Sequence, residues 1–220
     1  YWSAHFSHAP SGKARFLPLL TSRGCPFRCT FCIAPDLNPI WRGRPPQQVV
    51  DEMEYYFRKH EITDFHVSDL NPTVDENRIR AMCQEIIRRQ LPITWQIAQG
   101  TKIETIKRMD TLELMHQAGC VYISFSPESG SKRLLKIMNK PFDYEHGLNM
   151  VCKMNELGIK SQAVFLGGIP GETEEDRTLS IKYARKLISA GLDELSLVIF
   201  TPLPGAVLAK SISGYKHYSQ

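Results

Sequence analysis

Three cysteines within eight residues, Cys25, Cys29 and Cys32, have a type and spacing that call for a chemical explanation. They stand as C-x3-C-x2-C in the stretch Gly24-Cys25-Pro26-Phe27-Arg28-Cys29-Thr30-Phe31-Cys32, and they are half of the six cysteines in the chain. A zinc site draws on four ligands, often as two separated C-x2-C knuckles. No second knuckle is present, and His60 and His66 lie far along the chain in segments with regular periodicity. Three is an odd number for disulfides, and a reducing setting disfavours them. Thiolates are the usual ligands of an iron–sulfur cluster. A [4Fe–4S] cube on three local cysteines keeps one iron open for a non-protein ligand, and this reading fits best. Zinc and free structural thiols remain the alternatives, and a non-catalytic iron–sulfur electron carrier would need a fourth local ligand.

The elements that must position such a loop can be read from periodicity and punctuation. Residues 16–22 form an apolar run of strand length that enters the cysteine loop directly. The loop continues to Arg44, and Pro45-Pro46 then opens a helix, where a missing N–H costs nothing. Val49, Val50, Met53 and Phe57 give that helix one apolar face. A second strand spans 63–68 and breaks at Asn71-Pro72; a helix over 75–89 carries Ile79, Met82, Cys83, Ile86 and Ile87. Further strands are expected at 94–98, 121–125, 160–166 and 194–200, with helices at 132–137 and 144–157. Thr173 and Asp176 resemble a capping box opening a last helix with Ile181, Ala184 and Ile188 on one side. Gly119, Gly158 and Gly191 each follow a helical stretch and suit a left-handed cap. The alternation predicts an α/β domain with parallel strands and outer helices. Six units fall short of the eight of a closed barrel. A doubly wound sheet and an open, partial barrel both fit, since periodicity does not set strand order. The expected organisation is an arm or linker over 1–15, one core domain over 16–205 and a C-terminal extension over 206–220.

The 220 residues, 42% hydrophobic and 23% charged, are enough for one well-buried core. A net charge of +4 does not point to nucleic acid. No apolar stretch approaches a membrane span, and the N-terminus does not resemble a signal peptide. A reducing cytoplasm is the expected setting. Cys83, Cys120 and Cys152 read as core thiols, and Arg23 and Arg28, flanking the loop, as groups that tune its potential, steer anions or are simply solvated. The chain starts at Tyr1, as a piece of a longer protein would.

C-x3-C-x2-C with an aromatic residue, Phe31, just before the last cysteine resembles the signature of radical S-adenosylmethionine (radical SAM) enzymes. The resemblance extends over about Leu17 to Gly205. It implies a partial (β/α)6 TIM-like barrel in which Cys25, Cys29 and Cys32 hold three irons of a [4Fe–4S] cluster. S-adenosylmethionine would chelate the fourth through its amino and carboxylate groups. Reductive cleavage would then give a 5′-deoxyadenosyl radical that takes a hydrogen from a substrate. Other motifs fall after strands. Ser68-Asp69-Leu70-Asn71-Pro72 departs from the family's Gly-Gly-Glu; Asp69 would supply the acceptor for the SAM amine, or merely shape a turn. Ser126-Pro127-Glu128-Ser129-Gly130 is similar to the Glu-Ser-Gly motif, with Glu128 and Ser129 at the SAM ribose or amine. Gly167-Gly168-Ile169-Pro170-Gly171 matches the family's G-x-I-x-G pattern, with Ile169 beside the adenine. Val198 and the stretch after it would line the far side of that base, and Phe31 would offer it a backbone hydrogen bond and an aromatic edge.

Trp41-Arg42-Gly43-Arg44-Pro45, leading into Val50-Asp51-Glu52, is similar to radical SAM enzymes that carry an N-terminal cobalamin-binding domain. That implies a methyltransferase acting on an unactivated carbon or a related rearrangement, with cobalamin supplied from outside these 220 residues. A methylthiotransferase-like enzyme acting on RNA or protein is the alternative; it would need a second group of cysteines. A flavodoxin or ferredoxin is the expected reductant. The sequence does not name the substrate, whether small molecule or lipid.

Overall fold

The computed structural model describes residues 15–212. The expectations for the arm before residue 15 and for the extension beyond 212 lie outside the described residues.

Among the described residues eight strands and seven α-helices follow one another. The strands are β1 (Leu17–Leu19), β2 (Ser22–Arg23), β3 (Arg42–Gly43), β4 (Asp64–Val67), β5 (Thr94–Thr101), β6 (Cys120–Glu128), β7 (Lys160–Gly167) and β8 (Glu194–Ile199). The helices are α1 (Ala34–Leu37), α2 (Pro46–His60), α3 (Glu76–Arg88), α4 (Met109–Gln117), α5 (Lys132–Ile137), α6 (Tyr144–Leu157) and α7 (Glu174–Ser189). Six strands make one sheet in the order β1-β4-β5-β6-β7-β8, every neighbouring pair parallel. β2 and β3 form a separate antiparallel ribbon. The order never reverses. A doubly wound sheet needs a reversal at its switch point, so the steady progression makes this the open, partial barrel. Among the described residues no ladder joins β1 to β8.

Register partners in a parallel sheet share a face, and side chains alternate along each strand. One face carries Phe65, Trp95, Ile97, Ile123, Phe125 and Ala163, all buried in the main apolar core with the helices. The other carries Asp64 and His66, Gln96, Tyr122 and Ser124, Gln162 and Glu194. All but Gln96 pair with one another: His66 with Asp64 at 3.0 Å, Tyr122 donating to Glu194 at 3.1 Å, Ser124 to Gln162 at 2.9 Å; the Gln96 side-chain amide is buried without a partner among the described residues. A closed barrel fills its interior with bulky branched side chains; here the inner face is polar.

Local chemistry sets the boundaries. Asp75 caps α3 by accepting from the Arg78 N–H, and Thr173 and Asp176 form the reciprocal capping box of α7. Gly119, Gly158 and Gly191 all take positive φ at helix ends. Three expectations need correction. The run at 16–22 is not one strand: β1 stops at Leu19, and Ser22–Arg23 turns away to pair with Arg42–Gly43. On α7 the buried apolar positions are Tyr183, Ala184 and Leu187, while Ile181 and Ile188 are exposed, because the helix turns its Tyr183 side toward Tyr144 of α6. Cys83 and Cys120 are core thiols, but Cys152 is exposed on α6.

Two strands run further than their apolar pattern. β5 continues to Thr101 and β6 to Glu128, and each carries an irregularity near its C-terminal end: between Ile97 and Thr101, and between Phe125 and Glu128. Extra residues of this kind bend a strand and re-aim its side chains, and they concentrate beside binding sites. Gly100 within the first has φ +89° and Glu128 at the end of the second has φ 63°. Both irregularities lie at the C-terminal rim of the sheet, beside the cysteine loop.

Candidate functional site

The cysteine loop is held from elements far away in sequence. The Cys25 N–H donates to the Asn38 carbonyl at 3.0 Å, and the Thr30 N–H to the Met138 carbonyl at 3.0 Å. The Thr30 hydroxyl donates to the Ile137 carbonyl at 2.8 Å, and the Asn139 side-chain amide to the Arg28 carbonyl at 2.7 Å. The free carbonyls at the end of α5 thus serve as acceptors for the loop. On the other side the Leu208 N–H, in the short 3-10 turn Val207–Ser211, donates to the Thr30 carbonyl at 2.9 Å. Gly24 has φ +83°, and a Cβ there would lie 2.2 Å from the Ile40 carbonyl oxygen, so only glycine allows this approach.

These constraints turn Cys25, Cys29 and Cys32 into one cavity of about 240 Å³, shared with Phe27, Phe31, Asn71, Gly100, Ser126, Glu128 and Lys140. None of the three thiols is in a disulfide. Burial pushes the Cys25 thiol up, against a hydrogen bond from the Phe27 backbone. Burial likewise pushes Cys29 to about 11, with Lys140 pulling the other way and the neighbouring thiols adding to the rise. Such thiols become thiolates when a metal compensates their charge. Among the described residues no three His, Cys, Asp or Glu side chains converge as a single bound ion requires. The cavity's three free thiols are the soft donors that an iron–sulfur cluster takes, and no fourth cysteine lines it.

Glu128 and Lys140 close the cavity opposite the cysteines. The Lys140 ammonium lies 2.5 Å from a Glu128 carboxylate oxygen, and their side chains are only 11% and 9% exposed. Burying either charge alone would be costly; the pair makes the burial tolerable. Lys140 also stands 6.0 Å from the centre of the Phe31 ring. Left-handed backbone at a glutamate is held only by surrounding structure, and such strain concentrates at functional positions.

The other residues singled out from sequence distribute unevenly. Gly167 and Gly168 line a second cavity, of about 210 Å³, together with Leu197 and Ile199, and Glu128 is common to both cavities. Val198 does not line it: it pairs with Leu166, and alternation puts it on the opposite face from Leu197 and Ile199. Ile169 is buried in the core. Ser129 is buried too, with its hydroxyl against Ser180 at 3.0 Å and accepting from the Ser131 N–H at 3.0 Å, so it ties the end of β6 to α7.

Asp69 departs most from expectation. It is 1% exposed, and its carboxylate accepts the Thr21 N–H at 2.7 Å, the Thr21 hydroxyl at 2.6 Å and the Ser22 hydroxyl at 2.5 Å. Those donors lie at the turn between β1 and β2. The turn-shaping role is the one that the geometry supports, and the neighbours Leu70 and Asn71 reach the cavity instead.

Lys140 is a site residue that the sequence did not reveal. It follows α5 in Met138-Asn139-Lys140-Pro141, which looks like any polar helix end. No spacing rule ties it to cysteines more than a hundred positions earlier. Lys102 is another: it lines the cavity and lies 5.6 Å from the centre of the Phe27 ring.

A family model described as the radical SAM superfamily matches residues 19–184. The chain belongs to that superfamily. It is 30% identical over 200 residues to the anaerobic magnesium-protoporphyrin IX monomethyl ester cyclase of Rubrivivax gelatinosus, across 90% of this chain and 35% of the relative. It is 31% identical over 205 residues to the cytidylyl-2-hydroxyethylphosphonate methyltransferase of Streptomyces wedmorensis, across 87% of this chain and 36% of the relative. The fold matches that of TsrM, a radical SAM methyltransferase from Kitasatospora setae solved with cobalamin and a [4Fe–4S] cluster bound. The TM-score is 0.79 at 21% identity, over 90% of this chain and 36% of TsrM. The chain spans only about a third of the length of these proteins. Radical SAM membership implies an iron–sulfur cluster and S-adenosylmethionine as cofactors. No helix among the described residues is long and apolar enough to cross a membrane.

Proposed function

We propose that this chain is the core of a radical SAM enzyme that binds a [4Fe–4S] cluster and S-adenosylmethionine at the C-terminal rim of its partial barrel and serves a cobalamin-dependent methylation or a related carbon-centred reaction. The observation that carries the reading is the single cavity in which Cys25, Cys29 and Cys32 face the Glu128–Lys140 pair. The cluster, when bound with SAM and reduced, supplies the electron that cleaves the sulfonium to a 5′-deoxyadenosyl radical.

The chain's own residues have defined tasks in that chemistry. The three cysteines hold three irons. Glu128 accepts hydrogen bonds from the amine or ribose hydroxyls of SAM, both of which donate. Lys140 keeps the Glu128 carboxylate in place and sets a positive charge beside the anionic cluster. The Phe31 ring and the Gly167–Gly168 backbone offer the flat and close surfaces that an adenine needs. The part-buried loop limits water around a reactive radical. The cobalamin assignment is supported by the cobalamin bound in TsrM and by the Trp41-Arg42-Gly43-Arg44 stretch, and it concerns a portion of protein beyond these residues.

The test is anaerobic reconstitution. It should bring about four irons per chain, and dithionite with SAM should then release 5′-deoxyadenosine and methionine. Cys29→Ala should lose the cluster. A fully loaded protein that releases no 5′-deoxyadenosine would overturn the reading. Cobalamin retained by the full-length protein through gel filtration would support the finer assignment, and its absence after expression with cobalamin would remove it.

A further inference from the structure

We propose that the β2–β3 ribbon beside the cysteine loop is the docking surface for a small one-electron carrier protein with an acidic face. The inference rests on the proposed cluster, which takes up one electron from outside and makes or breaks no bond in doing so.

Arg23 and Arg42 are direct cross-strand partners in the ribbon, and both are exposed. Like charges placed opposite one another destabilise a two-stranded ribbon. Among the described residues neither guanidinium has an acidic partner. Arg44 is different: it is taken up by Glu52 at 2.7 Å and by the Leu20 carbonyl at 2.8 Å. The segment 22–44 holds four arginines and no lysine against one aspartate, a net +3, while the whole chain carries +4 over 220 residues. Most of the net positive charge is therefore concentrated around the cysteines.

The surface has apolar content as well as charge. Leu20 is 44% exposed and Ile40 68%. Leu20, Arg23 and Arg42 line a wide cavity of about 760 Å³ beside β1. Apolar side chains bordered by arginines are the composition of a protein–protein contact. A nucleic acid would need a longer run of phosphate-neutralising cations than two unpaired arginines provide.

The ribbon is rigid and lies next to the site. The Trp41 indole N–H donates to the Asn71 carbonyl at 3.1 Å, and the buried Arg78 donates to the Arg44 carbonyl at 3.0 Å and to the Thr21 carbonyl. A pre-organised surface loses little entropy on binding. Behind it, the Ile40 carbonyl lies against Gly24, and the Cys25 N–H donates to the Asn38 carbonyl at 3.0 Å. The backbone leading into β3 thus touches the start of the cysteine loop directly. A carrier seated here would lie beside the loop that begins at Cys25 and outside the cavity lined by the three cysteines.

The experiment uses the full-length, cluster-loaded protein with SAM, reduced either by a bacterial flavodoxin in its hydroquinone form or by dithionite. In the Arg23→Glu/Arg42→Glu variant, flavodoxin-driven 5′-deoxyadenosine formation should fall about tenfold or more, while the dithionite-driven rate stays unchanged. Raising salt from about 50 to about 200 mM should slow the flavodoxin arm of the wild type more than that of the variant. Arg23→Lys/Arg42→Lys should keep most of the flavodoxin rate. If charge reversal disturbs the fold, the dithionite arm reports it, and Arg23→Gln/Arg42→Gln carries the same comparison. A flavodoxin rate within about twofold of wild type in the charge-altered variants overturns the proposal, and so does loss of RNA retention on a filter with the flavodoxin rate intact. Wild type that is inert to dithionite would instead overturn the radical SAM reading.

Discussion

An acidic residue stands just past the end of β4 and another at the end of β6, at the same rim of the sheet, and the two carboxylates have opposite fates. Asp69, two residues past β4, is enclosed by one N–H and two hydroxyls from Thr21 and Ser22. Glu128, the last residue of β6, meets a single lysine and borders two cavities. The difference lies in the donors that surround each group. A carboxylate with three neutral donors on it is a structural cross-link, here joining the turn after β1 to the end of β4. A carboxylate held by one flexible ammonium keeps acceptor capacity for a ligand. An acid at a strand end is therefore an ambiguous signal until its neighbours are known.

The contrast can be broken most forcefully at Asp69. Asp69→Ala should destabilise the fold by about 3–5 kcal/mol, because it strands a buried N–H, two hydroxyls and the nearby Arg78 cation. Denaturant unfolding measures this, and the loss should be the same with and without SAM. A stable Asp69→Ala protein with weakened SAM binding would return Asp69 to the ligand site. At Glu128 the expected pattern is reversed. Glu128→Gln leaves Lys140 buried and unpaired, so some stability is lost, but adding Lys140→Met should recover it. Neither variant should recover the rise in melting temperature that SAM gives the cluster-loaded wild type. Restoration of that rise in the double variant would show that Glu128 is no ligand.

Lys140→Met alone sharpens the electrostatic half of the comparison. Removing a positive charge beside an anionic cluster should lower its midpoint potential, on the order of tens of millivolts. Redox titration followed by electron paramagnetic resonance reads this directly, and an unchanged potential would confine Lys140 to holding Glu128. The smallest effect belongs to Asp176, a third carboxylate, paired with Arg133 and capping α7. The Arg133 guanidinium holds its carboxyl well below the usual carboxylate range, with hydrogen bonds from Ser131 and Thr173 acting in the same direction. A depressed carboxyl stabilises the fold above the unfolded value of about 3.9 and loses that contribution as pH falls. Asp176→Asn should cost about 1–2 kcal/mol near neutrality, and its stability gap from wild type should narrow below about pH 4.

Much of the fold was legible because its signals are local. The helical spacing of Ile79, Met82, Cys83 and Ile86, the capping box at Thr173 and Asp176, and the glycines at 119, 158 and 191 act within a few residues of themselves. The cysteine triad was legible for the same reason: its ligands are neighbours in sequence. The true ends of β5 and β6 were less so, because their irregularities depend on register with the adjacent strand. Burial on α7 was not legible because the side of a helix that is covered depends on its neighbour in space, here Tyr144 of α6.

By itself the sequence determined the strand–helix alternation, the thiol loop and the family, since each depends on residues a few positions apart. The tertiary structure alone decided that the strands run in unbroken order, that Lys140 faces cysteines more than a hundred residues earlier, and that Arg23 stands opposite Arg42. It also enclosed Asp69 among Thr21 and Ser22 and set Glu128 at the wall of the cysteine cavity. The reason is that charges and hydrogen bonds act through space. A residue's chemistry is set by the donors and charges within a few ångströms, and folding brings most of those from distant parts of the chain.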